Sequence, residues 1–296
     1  MTHILFYVTL GVILVVSVLV VLFMIVWIYI GRPQNNNPKR YLEDHMKRKS
    51  GDDIEKKVIV FIGDSITLGK VCENYTSIVS DRLDPDSYSM INAGIHGDLT
   101  INALDRIKDI IQCKPDFATV LLGTNDANGS ISVRTARQYE KNKGVPRDPQ
   151  FWKETRFKED LSKIILELKQ KTKAKIAVIS IPPLGEKPET TPFERAVCYS
   201  NVIKAVAKEH NVSYLPLNET MVTYLKQNPT ESSIPFEKNE IITIKAVYRH
   251  YILRKSWGGI SKDNGFQLLT DHIHPNPIGA TMIADLIEEF ILGSLN

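Results

Sequence analysis

From Ile4 to Ile30 the chain runs through apolar residues without one charge, long enough to cross a hydrocarbon core of about 30 Å as a helix. Tyr7 lies near one end and Trp27 and Tyr29 near the other, where aromatic rings favour the lipid–water boundary. The opening Met-Thr-His is not basic and the apolar run is about twice the length of a cleavable leader's core. A retained transmembrane anchor over residues 4–30 is expected. Residues 31–57 then lose this character: Asn35-Asn36-Asn37-Pro38 and mixed charges predict a juxtamembrane linker. From residue 58 to the end, short apolar runs alternate with helix-spaced ones. Val58–Ile62, Ser89–Ile91, Ala118–Leu122, Ile176–Ile181 and Val212–Leu215 are runs of the kind buried on both faces of a sheet. Between and after them, apolar residues recur at helical spacing: Leu104, Ile107 and Ile111; Leu161, Ile164, Ile165 and Leu168; Val202, Ile203 and Val206; and Ile283, Leu286, Ile287 and Phe290. Strands alternating with helices predict an α/β domain over 58–296 with a parallel sheet covered on both faces.

Composition adds sidedness and partners. Of 296 residues, 43% are hydrophobic and 24% charged, which suits one sizeable domain plus the apolar segment. The net charge is +3, and its basic excess (Arg32, Lys39, Arg40, Lys47, Arg48, Lys49) clusters just after the apolar run. Attraction to anionic lipid head groups explains that cluster better than nucleic acid does, and the positive-inside rule places the domain in the cytoplasm. Four sequons, at Asn74, Asn128, Asn211 and Asn218, argue for a lumen instead. Cys72, Cys113 and Cys198 show no paired spacing and support no disulfide framework.

Ligands in parallel sheets bind beyond the carboxyl ends of the strands, so the strand exits carry the candidate chemistry. The first is Gly63-Asp64-Ser65, the second Asn92-Ala93-Gly94-Ile95-His96-Gly97-Asp98, the third Gly123-Thr124-Asn125-Asp126. Singly, each can be a turn or a helix cap. Near the end of the chain, Asp271-His272-Ile273-His274-Pro275-Asn276 sets a carboxylate and an imidazole three residues apart. A serine hydroxyl is a poor nucleophile until a positioned base takes its proton and a third group holds that base in the right tautomer. Ser65, His274 and Asp271 supply these three roles.

Four blocks, FIGDSITLG, NAGIHGD, LLGTND and DHIHPN, occur in the order in which the chain resembles the SGNH hydrolases, also called GDSL esterases and lipases. The resemblance covers residues 58 to 290 and implies a flavodoxin-like three-layer α/β/α fold with a five-stranded parallel sheet. It also implies Ser65 as nucleophile, His274 as base, Asp271 as its partner, and an oxyanion hole from the Ser65 amide, the Gly97 amide and the Asn125 side chain, with Gly94 as the alternative glycine. No cofactor is called for. His272 and His274 form a His-x-His pair, but no further metal ligands cluster with them. His96 is expected to be a partly exposed loop residue, with a place in the pocket lining as the alternative, Asp64 and Asp126 to bond nearby backbone amides, and Cys72 to be buried and inert.

Two insertions, 128–150 and about 229–265, are basic and aromatic and are expected to act as loops that choose the substrate. The expected activity is cleavage of a small-molecule carboxylic ester, an acetyl ester, a lipid or an acylated sugar, through an acyl-serine intermediate. Acyl transfer to an alcohol would use the same groups, and an idle lipid- or glycan-binding module is the reading from another class. The oligomeric state is not legible.

Overall fold

A computed structural model of the chain describes residues 2–47 and 56–294. The basic residues Arg48 and Lys49 and the rest of 48–55 in the expected linker therefore lie outside the described residues. Five parallel strands form one sheet: β1 (Lys57–Gly63), β2 (Tyr88–Gly94), β3 (Phe117–Leu121), β4 (Lys175–Ile179) and β5 (Ser213–Leu215), in the order β2-β1-β3-β4-β5. The chain steps from β1 outward to β2 and then crosses back to β3 on the other side of β1. That reversal opens a crevice at the carboxyl ends of β1 and β3.

Alternation along the strands divides two layers of core. Val58, Val60, Ile62, Ile91, Ala118, Val120, Ile176 and Val178 face the Glu154–Lys171 and Thr191–His210 helices, which contribute Leu161, Ile164, Ile165, Leu168, Ile203 and Val206. Ile59, Phe61, Phe117, Leu121, Ala177 and Ile179 face the other way, against Val79, Met221 and the Pro277–Gly293 helix with Ile283, Ala284 and Ile287. The expected three-layer fold is the one observed.

Three differences from the sequence reading have local causes. The Leu104–Ile111 periodicity is split into two short helices, Thr100–Asp105 and Ile107–Gln112, at Arg106. The two insertions are largely helical rather than loops: Val133–Lys143 in the first, and Asn239–Tyr251 and Trp257–Asp263 in the second. The first of these buries only Ala136 and starts on a Ser132–Thr135 capping box, so it carries little apolar periodicity to detect. Finally, residues expected to be a linker run along the sheet edge. Asn92 N donates to Asn36 O (2.9 Å), and Tyr41 and Leu42 of the Pro38–Lys47 helix pack on the core.

The N-terminal helix, Thr2–Gly31, is long and apolar enough to span a membrane. Phe6, Leu14, Val18, Ile25 and Ile28 are among many of its side chains left exposed by the protein.

Candidate active site

Ser65 opens a single helical turn, Ser65–Leu68, directly after β1, with Asp64 as its N-cap accepting from Ile66 N (2.9 Å). The sharp strand-to-helix junction points Ser65 Oγ across the crevice to His274 Nε2, 2.9 Å away. His274 lies on the loop between Leu269, which bridges to Pro275, and the Pro277–Gly293 helix, whose start is capped by Asn276. Its Nδ1 meets Asp271 Oδ2 at 2.8 Å and Oδ1 at 3.1 Å. With the ring proton on Nδ1, Nε2 is left with a lone pair facing the serine hydroxyl.

Asp271 is fully buried, and its oxygens are nonetheless well supplied with donors. Oδ1 accepts from the amides of Ile273 (3.1 Å) and His274 (2.9 Å), and Oδ2 from Thr243 Oγ1. Burial raises the Asp271 pKa, but the His274 charge and these hydrogen bonds outweigh it and hold the carboxyl below its ordinary value. His274 is the mirror case. Burial disfavours the imidazolium, yet Asp271 beside it, and Asp64 farther off, raise its pKa above the ordinary histidine value.

The second and third strand exits complete the cavity. Gly97 has φ +72°, a left-handed conformation that glycine takes without strain. Its loop is held by Asp98, which accepts from Arg106 Nε (3.0 Å) and Lys143 Nζ (2.9 Å), while Lys143 Nζ also donates to His96 O (2.6 Å). Gly94, in contrast, ends β2, and a Cβ there would meet Leu68 N at 2.3 Å, so close packing explains it and it lies away from the cavity. Asn125 Nδ2 donates to Asp98 O (2.9 Å) and makes a longer contact to Asp64 Oδ2 (3.3 Å). Tyr139 OH donates to Asn125 Oδ1 (2.8 Å) and accepts from Asn128 Nδ2 (3.0 Å), which fixes the orientation of the Asn125 amide.

Ser65, His274, Gly97 and Asn125 thus line one cavity of about 350 Å3, with Asp271 behind it. Such an arrangement can pass a proton from a hydroxyl to an imidazole and present donors to an oxygen that gains charge. His96, expected as a loop residue, also lines this cavity, and burial lowers its pKa to about 4. Asp64 and Asp126 bond backbone amides as expected, and burial raises both to about 7. Cys72 is buried, and burial, with Asp271 and Asp64 adding to it, pushes its thiol well up. His272 turns elsewhere: at φ +82° its ring packs on Phe266 and Phe236 and lines a larger neighbouring cavity of about 730 Å3 that shares Asn239 and Glu240 but not Ser65. The sequence did not single out Thr243, because a threonine in an apolar helical stretch carries no mark of the carboxylate it will meet.

Residues 61–282 match the GDSL-like lipase/acylhydrolase family. No match was found among curated proteins. Among solved structures, an acetylxylan esterase from Geobacillus stearothermophilus is similar at TM-score 0.54 and 17% identity, over 79% of this chain and 94% of that one. The acetyl xylan esterase AlAXEase aligns at TM-score 0.54 and 20% identity, over 78% and 97% of the two chains. An α/β hydrolase enzyme from the metagenome of Lake Arreo, Spain, aligns at 0.53 and 19%, over 81% and 96%. At these identities the likeness is one of fold.

Proposed function

Because the chain belongs to the GDSL-like lipase/acylhydrolase family and is a carboxylic ester hydrolase, we propose that it is a membrane-anchored serine esterase, with residues 4–30 as the anchor and 58–296 as the catalytic domain. Ser65 is the nucleophile, His274 the general base, and Asp271 the group that orients and charges it. The unbroken chain of contacts from Ser65 Oγ through His274 to Asp271 carries this reading. Ser65 Oγ bonds to the ester carbonyl carbon while His274 takes its proton. The carbonyl oxygen, now anionic, is received by the Ser65 and Gly97 amides and the Asn125 side chain. Collapse breaks the carbon–oxygen bond to the alcohol, which leaves with the proton from His274. Water, deprotonated by the same imidazole, then releases the acid.

Retention of the helix is supported by its attachment: Lys70 Nζ donates to Tyr29 O (3.0 Å) and Arg32 O (2.8 Å), tying the helix end into the domain. A cytoplasmic domain is supported by the basic residues after the helix, and most of the sequons lose their weight against it. Asn128 and Asn218 are buried and Asn74 caps a helix, so only Asn211 of the four stands exposed.

The test is turnover of p-nitrophenyl acetate and butyrate by the full-length chain in detergent, alongside Ser65→Ala. A burst of p-nitrophenol that the substitution abolishes is expected. Equal release by both proteins, or none on any ester, overturns the assignment.

A further inference from the structure

One wall of the Ser65 cavity comes from outside the hydrolase fold. Trp27, near the end of the N-terminal helix, lines it together with Thr243 and Ile244 of the Asn239–Tyr251 helix. This helix end is fixed to the domain on several sides. Ile30 is buried against Val71 and Val247, with Phe23, Val26 and Tyr251 packed around them. The Tyr29 and Tyr251 rings meet edge-on at 5.8 Å, and Tyr251 OH donates to Lys70 O (2.8 Å). Lys70, itself buried, places its ammonium on carbonyls at and just past the helix end and over the Tyr29 ring at 4.1 Å, where the helix dipole favours a cation. Just beyond the helix, Gln34 Nε2 donates to Leu68 O (2.7 Å) and Asn36 Nδ2 to Met90 O (3.1 Å). The catalytic domain is not on a free tether, and its orientation relative to the helix is set.

With the helix in a bilayer, the boundary between hydrocarbon and water falls where the apolar run ends in Trp27 and Tyr29. Trp27, 46% exposed, also lines the cavity, so that boundary falls beside the cavity. The protein surface beside the mouth suits the same level. The Asn239–Tyr251 helix gives Val247 and Tyr251 to the N-terminal helix, while Ile241 (55% exposed), Ile244 (42%) and the following Leu253 (59%) stand out, next to the exposed Lys245 and Arg254. Apolar residues flanked by cations are what lies flat at a lipid headgroup layer. The cavity lining is divided in kind: Trp27, Ile244 and Ile273 are apolar, whereas Asn128, Gln138, Asn142, Lys143 and Glu240 are polar.

Building on the ester-hydrolase reading, we infer that the cavity opens at the bilayer surface and that the substrate is a carboxylic ester of a bilayer-resident glycerolipid, taken from the membrane that holds the helix. Its acyl chain enters past Trp27 and Ile244, and its polar headgroup meets the amide side chains and Lys143. Ser65 Oγ takes the acyl group, the glycerol oxygen leaves with the proton from His274, and water releases a fatty acid from Ser65.

The experiment uses the full-length chain in vesicles with three presentations of ester. These are p-nitrophenyl acetate in solution, fluorogenic phosphatidylcholine, phosphatidylglycerol and diacylglycerol in the protein's own vesicles, and the same lipids in separate protein-free vesicles. Ser65-dependent cleavage is expected of the soluble ester and of at least one lipid in the same vesicles. Cleavage in separate vesicles is expected to be slower by about tenfold or more, because a fixed pocket does not reach a second bilayer. The double variant Ile241→Glu, Leu253→Glu should lower same-vesicle cleavage by about fivefold while changing p-nitrophenyl acetate turnover by less than about twofold. Turnover of the soluble ester with no cleavage of any vesicle lipid overturns the inference and leaves the esterase standing, as do equal rates in the two vesicle arrangements. Inactivity toward all three presentations overturns the esterase and this inference with it.

Discussion

Asp271 and His274 form a buried pair in which each sets the charge of the other, and the proposed mechanism needs the imidazole neutral before it can take the Ser65 proton. Since Asp271 raises the His274 pKa, kcat/KM for a p-nitrophenyl ester should fall as pH drops through a midpoint above the ordinary histidine value of about 6.5. Asp271→Asn removes that support but leaves the burial, so the midpoint should move to lower pH, while kcat falls by about 10⁴-fold because the ring loses its preferred tautomer. A midpoint unmoved by the substitution would assign the titration to another group. Asn125 and Tyr139 give a second residue-scale expectation. Loss of an oxyanion donor in Asn125→Ala should lower kcat by about 10² to 10³. Tyr139→Phe keeps that donor and loses the bond that aligns it, together with the acceptor for Asn128 Nδ2, so a smaller drop of about tenfold, in kcat and not in KM, is expected. Equal effects of the two substitutions would show that Tyr139 does more than orient the amide.

The loop that presents His274 is an element held from outside itself. Glu186 is buried, and its carboxylate accepts the amides of Gln267 (2.8 Å), Leu268 (2.7 Å) and Leu269 (2.7 Å), just before the Asp271 turn. Glu186→Ala leaves these amides without their acceptor. At about 1 kcal/mol or more each, the loss should total about 3 kcal/mol and lower the melting temperature by about 6–12 °C. Thermal unfolding followed by circular dichroism checks this, and an unchanged transition would mean that water replaces the carboxylate. The strands and their exits were legible in the sequence because both strand faces are covered, which leaves unbroken apolar runs such as Val58–Ile62. The helices of the insertions were not. Val133–Lys143 buries only Ala136 and turns mainly polar residues to the cavity, and Asn239–Tyr251 mixes β-branched residues with polar ones, so neither carries a clean apolar period.

At the scale of the whole molecule, the helix proposed as the anchor is docked against the domain and borders the pocket. Alkaline carbonate extraction should leave the full-length chain in the membrane pellet, and its release would exclude a spanning helix. A membrane-impermeant fluorophosphonate should label Ser65 only after vesicles or cells are opened, and labelling of sealed cells would reverse the proposed sidedness. What the sequence alone determined was the local part of this protein: the apolar segment, the order of the strands and of the helices outside the two insertions, and the residue types at each strand exit. Those follow from periodicity and from the chemistry a hydrolase requires, both of which are written in near neighbours. Only the tertiary structure decided the rest. That Gly97 and not Gly94 faces the cavity, that Thr243 reaches Asp271, that Tyr139 turns Asn125, and that Trp27 borders the pocket all depend on contacts between residues far apart in the chain. Such contacts are selected by the packing of layers against one another, and a side chain's own sequence neighbours do not encode which distant surface it will meet.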